Sequence, residues 1–332
     1  MKTVRLFLVL VFVYSFTALS ATTLSKEQIQ KVVQEAYMKY KDVDKGKNAD
    51  YIKALAEVNP KIFGITLVDG EGNVYEYGDT KAEVSIQSIS KVFTLALVMS
   101  EHGDDFVAEK IGVNATGFAF NSILAIEHHG GSPSNPFVNA GAIATTSWVE
   151  AKDSKERWTK IMANMNMFAG RELPFNEIVY KSELNDNKRN QAIAKLLNAY
   201  GRMGSDPLEA TTVYTKQCSV NVSSHDLAVM SATIANHGIN PITKVNVISA
   251  KYTPKIMAVM ATAGLYDNAG LWLYRTGLPA KSGVGGGIIA VVPGEFGVAV
   301  VSPPLDSFGN SVRAQLAIEY IVEKLGLNPY AK

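Results

Sequence analysis

Apolar positions near the start of the chain keep helical spacing. Ser25-Lys-Glu-Gln opens like a capping box, and Ile29, Val32, Val33, Ala36 and Tyr37 follow at intervals that predict a helix to about Tyr40. Asp50 caps a short predicted helix from Tyr51 to Val58, closed by Asn59-Pro60. The language then changes to strands. Ile62 to Val68 and Asn73 to Tyr77 flank the turn Asp69-Gly70-Glu71-Gly72, a loop too short for a parallel crossover, so the pair is antiparallel. From about 85 to 275 helical patterns dominate. Lys91 to Met99 is apolar almost all round, Asn185 to Tyr200 carries Ile193, Leu196 and Leu197, and Ser224-His-Asp caps Leu227 to Ala235. Strands return at Gly287 to Val292 and Phe296 to Val301 around Pro293-Gly294, before an amphipathic helix from about Ser307 to Leu325.

This order predicts an α+β fold. An antiparallel sheet is built from N- and C-terminal segments (about 21–84 and 280–332) with flanking helices, beside a mainly helical lobe (about 85–279). The two hairpins join one sheet with the terminal helices on one face. A crevice between sheet and helical lobe is a usual place for a small-molecule site.

The first twenty residues read differently. Lys2 and Arg5 precede the apolar run Leu6 to Phe12, and Ala18-Leu19-Ser20 supplies the small residues of a cleavage site. This is the pattern of a secretory signal peptide, and the run is short for a membrane span. The expected mature chain, from 21 to 332, is therefore exported, periplasmic or secreted, with no membrane span. Taking Lys2 and Arg5 from the formal charge of +1 leaves −1, with no basic footprint for nucleic acid. One cysteine, Cys218, excludes an intramolecular disulfide and a multi-cysteine zinc site; it reads as a small hydrophobe. His128-His129 lacks the spacing of a metal motif, and His102, His225 and His237 read as capping or surface residues, so no metal site is expected.

Three segments can carry chemistry. Ser88-Ile-Ser-Lys91 places a hydroxyl and an amine on one helix face, where a desolvated lysine can serve as base for a serine nucleophile. An all-round apolar helix following Lys91 is an unusual setting for a solvated lysine. Lys281-Ser-Gly283, before Val284 and the triplet Gly285-Gly286-Gly287, suits an edge strand that offers an oxyanion-hole N–H. Ser-x-x-Lys with a downstream Lys-Ser/Thr-Gly is the order found in penicillin-recognising enzymes, although their Ser-Asp-Asn element is missing here. Asn135-Pro-Phe-Val-Asn139-Ala-Gly-Ala-Ile143 forms a loop entering a helix, with two amides able to position polar groups.

Together with Gly264-Leu-Tyr266-Asp267, these segments resemble, in order and approximate spacing, the serine-dependent glutaminases of the β-lactamase/transpeptidase-like fold. The likeness covers about 25 to 325. It implies hydrolysis of L-glutamine to L-glutamate and ammonia without a cofactor, by a homodimer or homotetramer. It also implies roles: Ser88 as nucleophile, Lys91 as general base, Val284 as oxyanion-hole N–H donor, and Tyr266 as an active-site tyrosine that can donate the leaving-group proton. Tyr51, Gln87, Asn139, Glu183, Asn190 and Tyr214 are implied to bind substrate, with Asn139, Glu183 and Asn190 at its amino-acid end. The family is associated mainly with the cytoplasm or organelles, so an export signal is a departure. Two rival readings remain: a β-lactamase or D,D-peptidase, and an exported amino-acid-binding protein that has lost its chemistry.

Overall fold

The computed structural model describes residues 24–331. The expected signal peptide at 1–20 lies outside them. Five antiparallel strands form the main sheet in the order β2-β1-β7-β6-β5: β1 (Gly64–Asp69), β2 (Val74–Gly78), β5 (Ala280–Gly283), β6 (Gly287–Val292) and β7 (Phe296–Val301). β1 pairs with β7 in the register Ile65↔Val300, so the N-terminal and C-terminal hairpins meet at the sheet centre. A separate pair, β3 (Val84–Ser85) with β4 (Asn221–Val222), lies where the chain crosses into the helical lobe.

The strands alternate, but both faces are buried. Ile65, Leu67, Ile288, Ala290, Val298 and Val300 pack against the terminal helices Lys26–Tyr40 and Val312–Leu325 through Ile29, Val33, Ala317, Ile318 and Ile321. Val68, Ile289, Val291, Ala299 and Val301 face the other way and join Leu227 and Ala228 of the helix Ser224–Ala235. That helix belongs to the helical stretch by sequence, yet it packs on the sheet and joins this face of it to the helical lobe in one apolar cluster.

The N-terminal helix starts as the pattern predicts, with Ser25 and Gln28 completing a reciprocal capping box. Three expectations shift. The helix expected over Tyr51–Val58 is a single turn, Lys53–Ala56. The one expected from Asn185 to Tyr200 runs from Lys188 to Ala199, and a separate helix, Glu177–Leu184, precedes it across the break Asn185-Asp186-Asn187. The last helix begins at Val312, because Asp306 Oδ1 accepts the N–H groups of Phe308 and Asn310, closing a turn, before Ser311 caps the helix. No described helix is long and apolar enough to cross a membrane.

Candidate active site

The site is built on the turn that leaves β3. Gln87–Ile89 form one 3₁₀ turn before the helix Ser90–His102, so Ser88 sits on the turn and Lys91 in the first turn of the helix. Gln87 holds a left-handed backbone, φ 49°, a conformation that costs an ordinary residue roughly 1–3 kcal/mol. Its side-chain amide donates to Ser85 Oγ at 3.1 Å and to Glu183 Oε1 at 2.6 Å, which fixes the turn.

Lys91 is 1% exposed. Its Nζ donates to the Phe137 carbonyl at 3.0 Å and to Asn139 Oδ1 at 2.8 Å, and it lies 5.7 Å from the centre of the Tyr214 ring. Among the described residues no carboxylate pairs with it, and burial pushes its ammonium down to about 8.

The asparagine block supplies the opposite wall. Asn135 Oδ1 accepts the N–H groups of Phe137 and Val138, shaping the loop ahead of the helix Asn139–Ser147. A Cβ on Gly141 would lie 1.7 Å from the Asn135 carbonyl oxygen, so a glycine is required for the helix to close on its own loop. Asn139 is the hub: its Oδ1 also accepts from the Tyr214 hydroxyl at 3.2 Å, and its Nδ2 donates to Asn190 Oδ1 at 3.0 Å.

A cavity of about 360 Å³ opens between these elements. Tyr51, Gln87, Ser88, Asn139, Glu183, Asn190, Tyr214 and Val284 all line it, so eight sequence-predicted residues from distant parts of the chain are brought to one space. Tyr51 stands at the mouth, on a segment tied to the Glu177–Leu184 helix by Ala54 N–H donating to Ser182 Oγ at 3.3 Å. Glu183 keeps some exposure, yet it lies among enough protein for burial to push its carboxyl up to about 7, against the opposing pull of the Gln87 amide. Val284 follows β5, whose end presses on the serine turn: a Cβ on Gly283 would stand 2.7 Å from the Ile86 carbonyl oxygen and 3.4 Å from Gln87 Cβ.

Tyr266 is placed differently. It does not line that cavity but an adjoining one of about 340 Å³, which shares Phe120; the Phe120 and Tyr266 rings are 4.8 Å apart. Its backbone is also left-handed, φ 53°, and its hydroxyl lies against Ser88 and Ser282, donating to the Ser282 carbonyl at 3.4 Å. Burial raises that hydroxyl to about 12.

Two groups in and around the site escaped the residue reading. In the sequence Lys281 stands only as part of an edge-strand motif. It is fully buried, donates to the carbonyls of Gly264 (2.8 Å) and Ser282 (2.7 Å), and lies 4.3 Å from the Tyr266 ring centre. Burial, aided by the nearby charge of Lys91, holds its ammonium well below the usual lysine range. Arg189 lines the main cavity from the start of the Lys188–Ala199 helix, and nothing in its surroundings along the chain marks it. Cys218 also lines the cavity, with its thiol pushed up to about 12 by burial and so held protonated. The His128 and His129 rings meet edge to face, with centres 5.0 Å apart. Among the described residues no group of three or more His, Cys, Asp or Glu could hold a metal ion.

Chemically, the arrangement offers a hydroxyl on a constrained turn, a buried amine three residues on, and a carboxylate across a cavity of amino-acid size. A sequence model of the Glutaminase family matches residues 46–330. The glutaminase of Colwellia psychrerythraea is 53% identical over 90% of this chain and 96% of its own. The solved structure of the probable glutaminase ybaS superposes with a TM-score of 0.90 at 45% identity, covering 91% of this chain and 98% of that one. The probable glutaminase of Bacillus subtilis gives 0.81 at 28% identity over 91% and 96%.

Proposed function

The chain belongs to the glutaminase family, enzymes that convert L-glutamine to L-glutamate, and from that premise we propose that its reaction runs through a γ-glutamyl ester on Ser88 with Lys91 as general base. The observation that carries this reading is Lys91 itself: a fully buried amine without a counter-ion, three residues from a serine that lines the cavity.

Neutral Lys91 takes the Ser88 proton, and Oγ bonds to the side-chain amide carbon of glutamine. The backbone N–H groups of Ser88 and Val284 hold the oxyanion, each worth about 3–4 kcal/mol when well placed. The carbon–nitrogen bond then breaks. Ammonia takes the proton that Lys91 accepted, relayed by the Tyr266 hydroxyl that lies against Ser88. Water, deprotonated by Lys91, cleaves the ester and regenerates the serine. Ionised Glu183 faces the α-ammonium of the substrate in a charge-assisted hydrogen bond, while Asn139, Asn190, Tyr214, Tyr51 and Gln87 hold the remaining polar atoms.

Purified chain should release one ammonia per glutamate from L-glutamine, and Ser88→Ala should release none while melting as the wild type does. Equal release from both would remove Ser88 from the reaction. Turnover of a β-lactam in place of glutamine would favour the penicillin-recognising rival, and glutamine binding by calorimetry without ammonia would favour the binding protein. Export rests on the Lys2-to-Ser20 pattern and is tested by sequencing the N-terminus of secreted chain. Assembly as a homodimer or homotetramer rests on the family and is tested by light scattering.

A further inference from the structure

We propose that Lys281 is a positioning residue for the reaction: it turns the Tyr266 hydroxyl away from the Ser282 carbonyl and toward Ser88, where that hydroxyl hands the leaving ammonia its proton. The inference rests on the glutaminase reading and on the Tyr266 relay within it. Lys281 is fully buried, and among the described residues no carboxylate pairs with it. An amine taken out of water without a counter-ion costs stability that a methionine of similar shape would not. Packing alone therefore gives no reason for a lysine at this point of β5. Its neighbours supply one.

The amine ties Tyr266 to the strand. Its Nζ donates to the Gly264 carbonyl at 2.8 Å, two residues before Tyr266, and to the Ser282 carbonyl at 2.7 Å, and it lies 4.3 Å from the centre of the Tyr266 ring. The segment rests directly on β5: a Cβ on Gly264 would stand 1.7 Å from the Ala280 carbonyl oxygen, and the Ser282 N–H donates to the Gly264 carbonyl at 3.3 Å. These contacts hold Tyr266 in its left-handed backbone, φ 53°, which local propensity disfavours. The Ser282 carbonyl is the deciding atom. It is shared by two donors, Lys281 at 2.7 Å and the Tyr266 hydroxyl at 3.4 Å. The short bond belongs to the lysine, and the tyrosine contact is at the outer edge of hydrogen-bonding distance. The same hydroxyl lies against Ser88, so with the carbonyl taken its hydrogen is available to the reacting centre. Without the amine, Gly264 keeps the Ser282 N–H, but the Tyr266 hydroxyl closes on the Ser282 carbonyl and points its proton away from Ser88.

The test compares L-glutamine with the γ-methyl thioester of L-glutamate, which forms the same ester on Ser88 but expels a thiolate that needs no proton. kcat/KM is read by ammonia or thiol release for wild type, Lys281→Met, Tyr266→Phe and the double variant, with melting curves to check the fold. The ratio of kcat/KM for glutamine to that for the thioester does not depend on how much of a variant is folded. Lys281→Met should lower this ratio at least about 10-fold, part of the roughly 100-fold or more that a positioned general acid supplies. Tyr266→Phe should lower it at least as far. Lys281→Met added to Tyr266→Phe should then change it by less than about threefold, because residues that act through one another are not additive. Lys281→Gln, shorter but still a donor, should fall between wild type and Lys281→Met, and it carries the comparison if the methionine variant does not fold. An equal loss for both substrates would overturn the inference, since Lys281 would then serve only the fold. So would a ratio unchanged by the lysine variants, or a full further loss in the Tyr266→Phe background. Wild type that releases no ammonia from glutamine, or Ser88→Ala that releases as much, would instead overturn the underlying glutaminase reading, results distinct from any shift of the ratio.

Discussion

The two titrating groups of the cavity make the acid limb of the pH profile a quantitative test. Catalysis as proposed needs Lys91 neutral and Glu183 ionised in the free enzyme. Burial lowers the first to about 8 and raises the second to about 7. Both must lose a proton, so activity appears as pH rises. The logarithm of kcat/KM should climb with slope near two well below pH 7, near one between 7 and 8, and level off above. From those midpoints, about one chain in eleven has neutral Lys91 at pH 7 and about half at pH 8, while ionised Glu183 goes from about half to about nine tenths. Their product gives roughly a tenfold rise over that one unit. Glu183→Gln should lower kcat/KM by roughly 10- to 100-fold and leave a single limb of slope one near pH 8. Initial rates of ammonia release from pH 5.5 to 8.5 decide it. A flat profile between 6 and 8, or an unchanged two-proton limb in Glu183→Gln, would refute the reasoning.

Three further outcomes are expected. Gly285→Ala should push the loop after β5, with the Val284 N–H next to it, away from β3, since its Cβ would stand 2.1 Å from the Ser85 carbonyl oxygen; kcat should fall at least 10-fold, by about 2 kcal/mol of misplaced oxyanion contact, more than stability does. Phe93→Ala, which removes a fully buried ring lying 5.0 Å from Phe168, should cost about 3–5 kcal/mol in denaturant unfolding with kcat preserved in the folded fraction. Because the proposed chemistry runs through serine and lysine, a chelator such as EDTA should leave the rate of ammonia release unchanged.

The most regular parts of the fold were legible in the chain. β6 and β7 fall where the apolar runs around Pro293-Gly294 place them, because Pro-Gly leaves one way to turn and both faces need apolar residues. The N-terminal helix follows from its capping box. What the pattern could not convey is tertiary. The 3₁₀ turn under Ser88 and the left-handed backbones of Gln87 and Tyr266 are held by contacts from distant elements, not by local propensity. The Lys188–Ala199 helix starts three residues later than expected, because the apolar spacing of Ile193 and Leu197 says nothing about the break at Asn185-Asp186-Asn187. Lys281 sits among small residues on an edge strand, and its burial beneath the Tyr266 ring depends on elements far along the chain. Most of the cavity residues were found through family likeness; the residue chemistry alone singled out Ser88, Lys91, the asparagine block and the Lys-Ser-Gly strand.

The central claim is covalent: glutamine passes through an ester on Ser88. Wild type mixed with excess L-glutamine, quenched in acid during turnover, digested and read by mass spectrometry, tests it directly. The account predicts a peptide containing Ser88 that is heavier by one glutamyl group, that reverts when the quenched sample is treated with hydroxylamine, and that is missing from Ser88→Ala. A glutamyl group on another residue, or undiminished turnover by Ser88→Ala with no adduct on the wild-type serine, would contradict it.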